Sequence, residues 1–373
     1  MKVALVCDWL TNMGGAEEVL LALSELYPDA PIYTSVYNPE KVPAFRDKDV
    51  RTSFLQHVPL AKSKHQLFPT LRPLAFESFD FSEYDLVISS ASAEAKGIIT
   101  KPHTKHICYC HTPTRYYWSD YHAYLNRLQF GILNPIVKRR MPKIVHKMRM
   151  WDRLAADRVD HFIANSAYVA ARIKKYYRRE ATVIYPPCDT ENLKPGGKQK
   201  DFFLAISRLI PYKQVRLIVE AFNELGLPLK VAGTGPEEKE LRKIAKDNIE
   251  FLGYVSGEEK LKLLQECQSF IFAPEEDFGI APVEAMACGR PVIAYGKGGA
   301  TESVNGDSGI FFHEQTVDSL VKAVRSFDAS KFDTGKIRER AEMFSKERFK
   351  RELKELVARE LEAPKGPLVG AKS

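Results

Sequence analysis

Apolar runs of strand length alternate with segments of helical periodicity through most of the chain. The first repeat of this pattern is the clearest. KVALVCDW reads as a strand, Gly14-Gly15 as a turn, and AEEVLLALSELY as a helix. IYTSVY, DLVISS, KHICYCH, HFIANS and TVIYPP continue the strands of the first half. The pattern restarts with FFLAIS, PLKVAGTG, IEFLGYV, SFIFAP, RPVIAYG and GIFF, with helices between most of them. Such alternation predicts an α/β fold with parallel sheets covered by helices on both faces.

Between the halves, PPCDTENLKPGGKQKD breaks both periodicities and reads as a linker. The expected domains are therefore residues 1–190 and 200–340. A charged helix is predicted over 345–361, whose Phe349, Leu353, Leu356, Val357 and Leu361 recur at helical spacing and need a surface to cover. The tail 362–373 has no pattern and is expected to be disordered. The chain holds no solenoid repeat, only two doubly wound halves.

Length and composition fit this picture. The 373 residues suit two domains, and 45% hydrophobic against 28% charged residues allow two sizeable cores. A formal charge of +7 is modest for this length, and points to a basic patch or an anionic ligand more than to a nucleic-acid binder. The first apolar run is short and contains Asp8, which argues against a signal peptide. No run of apolar residues is long enough to predict a transmembrane helix. Cys7, Cys108, Cys110, Cys188, Cys267 and Cys288 are scattered through apolar elements, as in a reduced, cytoplasmic protein.

The chemistry concentrates at strand ends. In EEDFGIAPVEAMACGRPVIA, residues 275–294, Glu276 falls in the loop after a strand. Gly279 and Pro282 suit a helix start, which puts Glu284 in the first helical turn. A ligand there would meet helix N–H groups flanked by two carboxylates. The amides suit a diphosphate and the carboxylates suit sugar hydroxyls. In SRLIPYK, Arg208 and Lys213 lie after FFLAIS, where two cations can neutralise a leaving diphosphate. Gly14 and Gly15 let backbone approach a phosphate at a helix start, while Glu17 and Glu18 are read as favourable helix-dipole charges.

In CYCHTPTRYYW, residues 108–118, His111 ends a strand. Arg115, Tyr116, Tyr117 and Trp118 read equally as an acceptor platform or as core. Alternation puts Cys108 and Cys110 on one face and His111 on the other, which argues against a metal site. The stretch from Arg127 to Arg158 interleaves Lys138, Arg139, Arg140, Lys143, Lys147, Arg149 and Arg153 with Phe130, Ile132, Leu133, Ile136, Val137, Met141, Ile144, Val145, Met148 and Trp151. It reads as amphipathic helices for an anionic membrane surface, with a long surface helix as the alternative. Asp47 and Asp49 flank Lys48 in a polar loop, not at a strand end, so no metal-binding DxD motif is expected.

Glu276 and Glu284 with the intervening FG, followed by EAMACGRPV, resemble the signature of glycosyltransferase family 4, and the other motifs extend the resemblance over about the whole chain. It implies the GT-B fold, two facing Rossmann-like domains with a cleft between them, and retaining sugar transfer from a nucleotide sugar. It further implies that Glu276 contacts donor-sugar hydroxyls and Glu284 the ribose. The amides of Phe278, Gly279 and Ile280 would hold the sugar and phosphate. Arg208 and Lys213 would clamp the diphosphate, Gly14 and Gly15 would close on it, and His111 would face the reacting sugar. The closing helix would cross back to the first domain. Asp277 stands where the family more often has Gly, which narrows the sugar pocket.

YCHTPTRYYW and EEDFGIAPVEA look closest to the O-antigen mannosyltransferase branch. That likeness implies GDP-mannose as donor and a polyprenyl-diphosphate-linked sugar or an oligosaccharide as acceptor, in cell-surface polysaccharide synthesis. The nucleotide sugar is then a co-substrate, and neither cofactor nor metal is required. The location expected is cytoplasmic, peripheral on the inner face of the cell membrane. Two other readings stay open: a nucleotide-sugar epimerase or hydrolase of the same fold, and a non-catalytic nucleic-acid binder.

Overall fold

The computed structural model describes residues 1–64, 67–126 and 134–362. Beyond Glu362, the expected disordered tail lies outside the described residues. Contacts divide the chain into two compact units. The first holds Met1–Asn165, Val169–Ile184 and the C-terminal segment from Phe349. The second holds Tyr185–Arg348 with Ser166–Tyr168.

The first unit is built on β1 (Val3–Cys7), β2 (Ile32–Thr34), β3 (Val50–Thr52), β4 (Leu86–Ala91), β5 (Lys105–Cys110), β6 (His161–Ala164) and β7 (Ala181–Val183). They form one sheet in the order β3-β2-β1-β4-β5-β6-β7, parallel throughout. The second unit has β8 (Phe203–Ile206), β9 (Leu229–Ala232), β10 (Ile249–Gly253), β11 (Ser269–Phe272), β12 (Val292–Tyr295) and β13 (Gly309–Phe312). Their order is β10-β9-β8-β11-β12-β13, again all parallel. Strands buried on both faces can be apolar at every position, and β4 and β11 are buried along their whole length. In β11, Ile271 packs into one core of the second unit, while Phe270 and Phe272 pack into the other.

In each sheet the direction of strand addition reverses once, between β1 and β4 and between β8 and β11. Loops diverge there to opposite faces and leave a crevice beyond the strand C-termini, the usual ligand position in doubly wound sheets.

The closing helix, Lys346–Glu362, belongs mostly to the first unit. Phe349, Leu353, Leu356 and Val357 are buried with Leu5, Ile88, Ile107 and Tyr109. Each such burial is worth about 1.5–3 kcal/mol against exposure. Glu360 receives Lys105 at 3.1 Å and His161 at 3.0 Å. Leu361 stands off this face and is exposed. The Pro/Gly segment packs on the second unit: the Cys188 N–H donates to Phe344 O at 2.8 Å, and Arg338 donates to Thr190 O and Leu193 O.

Candidate active site

The loop after β8 carries Arg208 and Lys213. It is pinned from the β9 side, where the Leu209 N–H donates to Thr234 O at 2.9 Å and the Glu237 N–H donates to Leu209 O at 3.1 Å. Gly233 and Gly235 permit so close an approach. A Cβ on Gly233, whose φ is +126°, would lie 1.9 Å from Ser207 O, and one on Gly235 would lie 2.3 Å from Leu209 O.

The loop after β11 carries Glu276 and ends at Gly279, which precedes the helix Ile280–Ala287. Gly279 has φ +85°, and a Cβ there would meet the Phe272 ring at 2.9 Å. From the far side, the Gly299 N–H donates to Glu276 O at 2.9 Å. A Cβ on Gly299 would lie 2.3 Å from Phe278 Cα and 2.5 Å from Asp277 O. Gly299→Ala is therefore expected to push the Glu276–Phe278 segment out of place, at about 1–3 kcal/mol. Gly306→Ala, with nothing within 4 Å of the added atom, is the control. Thermal unfolding of the two variants checks this: equal midpoints would mean the loop yields freely.

These two loops flank the β8/β11 reversal, and there Lys213 and Glu276 form an ion pair. Both are mostly shielded, at 16% and 17% exposure. Lys213 Nζ also lies 5.4 Å from the centre of the Tyr212 ring, and the Tyr212 hydroxyl accepts from exposed Arg208 at 2.9 Å. Arg208, Tyr212, Lys213 and Glu276 thus form one connected cluster. Glu284 lies in the second turn of its helix, not the first, because the helix begins only at Ile280. Its partner is Lys260, at 2.6 Å, from the helix Gly257–Glu266. Phe278 points into the core, 5.4 Å from the Phe344 ring, and Gly299 packs against its backbone. The first N–H groups of the helix after Gly279 have no acceptor within the helix and suit an anion.

In the first unit His111 follows β5, and its Nε2 lies 2.8 Å from Ser90 Oγ at the end of β4. Burial lowers its pKa to about 4, so the ring is neutral at pH 7. Gly14 has extended backbone, and Gly15 opens the helix Gly15–Leu26. Beside them is a small cavity of about 20 Å³, lined in part by Asp8, Glu17, Ser90 and Ser92. Asp8 accepts from the Ala95, Ser92 and Ala93 N–H groups at 2.8, 2.7 and 2.9 Å, and so fixes the turn after β4.

Under the motif that contains His111 lie two buried ion pairs, Arg72–Glu94 at 3.1 Å and Lys96–Asp152 at 2.5 Å. Tyr117 donates to Glu94 at 2.8 Å, while Trp118 and Tyr177 donate to Asp152 at 2.7 and 2.8 Å. Tyr117 is therefore core, and Trp118, stacked on Tyr176, is tied to it through Asp152. Burial raises the Glu94 pKa. For Lys96, burial acts to lower the pKa but attraction to Asp152 outweighs it.

All six cysteines are buried free thiols, and among the described residues no three His, Cys, Asp or Glu side chains gather to hold a metal. Sequence reasoning missed Lys260, Ser90 and the supporting glycines. The glycines did carry a signal, since Gly233-Thr234-Gly235 and Gly298-Gly299 each follow a strand.

A Glycosyltransferase Family 4 model matches residues 13–192, and a model for glycosyl transferases group 1 matches 190–349. The O-antigen chain mannosyltransferase C of Escherichia coli is 28% identical over 211 residues, 51% of this chain and 56% of that protein. A GDP-mannose-dependent phosphatidylinositol monomannoside mannosyltransferase of Corynebacterium glutamicum is 32% identical over 130 residues, 31% of this chain and 34% of that one. The chain spans about half the length of the first curated relatives it matches. Anabaena HepE, solved in complex with UDP, superposes with a TM-score of 0.71 at 19% identity, covering 96% of this chain and 100% of that one. That likeness gives the fold, GT-B, with two Rossmann-like domains. The two models overlap at residues 190–192 and together span 13–349, so both halves of the chain match glycosyltransferase models, on a GT-B fold.

Proposed function

We propose that this protein is a retaining glycosyltransferase that takes mannose from GDP-mannose. Its acceptor would be a polyprenyl-diphosphate-linked sugar or an oligosaccharide in cell-surface polysaccharide synthesis. The observation that carries the reading is the Lys213–Glu276 pair at the β8/β11 reversal, beside the N-terminus of the helix Ile280–Ala287. A cation, a carboxylate and helix N–H groups placed together match the parts of a nucleotide sugar: diphosphate, sugar hydroxyls and phosphate oxygens. The two mannosyltransferase relatives support mannose, and the second supports GDP.

In this mechanism the donor diphosphate draws Lys213 away from Glu276, which frees that carboxylate to accept from sugar hydroxyls. Glu284 would take the ribose hydroxyls, in exchange for Lys260. The bond from the anomeric carbon to the phosphate oxygen breaks. The acceptor oxygen bonds to the same carbon from the same face, and its proton passes to the departing phosphate. Negative charge grows on that phosphate, where Arg208, Lys213 and the helix N–H groups stabilise it. With two carboxylates assigned to binding, neither serves as a glycosidase nucleophile. Neutral His111 offers substrate a hydrogen bond but no charge.

The test is transfer measured with GDP-mannose, UDP-glucose, UDP-N-acetylglucosamine and UDP-galactose, with and without an undecaprenyl-diphosphate-sugar acceptor. GDP-mannose should be consumed only with acceptor, and the product should keep the donor's anomeric configuration. Because Arg208 and Lys213 supply the positive charge, a chelator should leave the rate unchanged. Donor breakdown at the same rate without acceptor, or recovery of an epimerised donor, would replace transferase with hydrolase or epimerase. Activity lost to the chelator and restored by Mg²⁺ would replace the cation pair with a metal.

A further inference from the structure

We infer that the outer face of the helix Asn134–Asp157 docks the first unit on an anionic lipid bilayer. The helix has two opposed stripes. Along the inner one, Val145 and Met148 are buried against Tyr117, and Asp152 and Ala155 are fully buried one turn on. The apolar residues expected to meet lipid are thus largely turned inward. Arg127, Phe130, Ile132 and Leu133 lie outside the described residues, as does the side chain of Ile136.

The outer stripe runs Arg140, Lys143, Lys147, Met150, Leu154, at spacings of three and four residues that keep it on one side of a helix. All five are exposed, Met150 at 50% and Leu154 at 63%. The stripe is cationic in its first half and apolar in its second. Other exposed apolar residues gather near the apolar end. Trp151 donates to Glu77 at 2.8 Å, and Arg158 joins Glu77 to Gly97 O, both at 2.7 Å. At Gly97 a Cβ would strike the Trp151 ring at 2.4 Å. Ile99, two residues beyond Gly97, is 52% exposed, and so is Leu74, one turn before Glu77. Four large exposed apolar side chains thus lie on the elements that meet at this junction, with three cations along the same helix face.

Charge selects the occupant. The two acids on this helix, Asp152 and Asp157, are both paired, the first buried with Lys96 and the second with Arg153 at 2.5 Å. A second copy of the chain would bring the same cationic stripe against itself. A bilayer with anionic headgroups receives both halves at once, cations at the phosphates and apolar tips among the acyl chains. Among the described residues no helix is long and apolar enough to cross a membrane, so the contact is superficial.

The inference is independent of the transferase reading, because vesicle binding is measured without turnover. The full chain should co-sediment with phosphatidylcholine vesicles containing phosphatidylglycerol, and not with phosphatidylcholine alone. Lys143→Ala with Lys147→Ala should weaken binding about thirty-fold at low salt. Met150→Ser with Leu154→Ser should weaken it about tenfold. Unfolding midpoints should match wild type, because all four positions are exposed, and Lys322→Ala on the second unit should bind as wild type. Equal binding to neutral vesicles, or unchanged binding by both double variants, would overturn the inference. So would self-association in ultracentrifugation that Met150→Ser with Leu154→Ser abolishes, since a second copy would then be the occupant.

Discussion

Lys213→Ala should lower kcat about 10²–10³-fold while the second unit stays folded, the usual cost of removing one preorganised charge at a leaving group. Lys213 is mostly shielded and pairs with Glu276, so two roles must be separated. If Lys213 acts on the diphosphate, Lys213→Arg should restore part of the rate. Lys213→Ala and Glu276→Ala should then each add a separate loss in the double variant. If Lys213 only holds Glu276, the double variant should be no worse than Glu276→Ala alone. Steady-state kinetics at saturating donor decide between them, and a Lys213→Ala rate within a few-fold of wild type would remove the residue from the site.

Asp152→Ala should destabilise the first unit by about 3–5 kcal/mol, because it leaves the Lys96 ammonium buried without its counter-charge. Trp118, Tyr177 and Thr114 lose their acceptor in the same step. For a domain of this size the unfolding midpoint should fall by roughly 6–20 °C. Lys96→Met with Asp152→Leu removes both charges and should recover most of the loss. Calorimetry of the two variants is the check, and a fall of only a degree or two in Asp152→Ala would mean water reaches Lys96.

Strand positions were legible because a parallel sheet buried on both faces demands unbroken apolar runs. The exception is β3, Val50-Arg51-Thr52, an edge strand with an exposed middle residue and no such run. The Lys213–Glu276 meeting could be expected in kind, since both residues follow strands, but their pairing depends on β8 and β11 being neighbours. Lys260 was not legible: a helix residue facing Glu284 has no local signature. Neither were Arg72, Glu94, Lys96 and Asp152, because charged residues usually lie at the surface and only the folded chain brings these four into buried pairs. In the helix Asn134–Asp157 the amphipathic period was visible. Which stripe faced inward was fixed by Tyr117 and Asp152, far apart in sequence from much of what they touch.

The first unit borrows its last core residues, Phe349, Leu353, Leu356 and Val357, from the end of the chain. On the ribosome, its sheet must then wait while roughly 160 residues of the second unit are made, about 8–30 s at ordinary elongation rates. During that interval the core around Ile107 and Tyr109 lacks the part of its cover that Phe349, Leu353, Leu356 and Val357 supply. The second unit, almost continuous in sequence, can finish first. The core begun first is thus the one completed last.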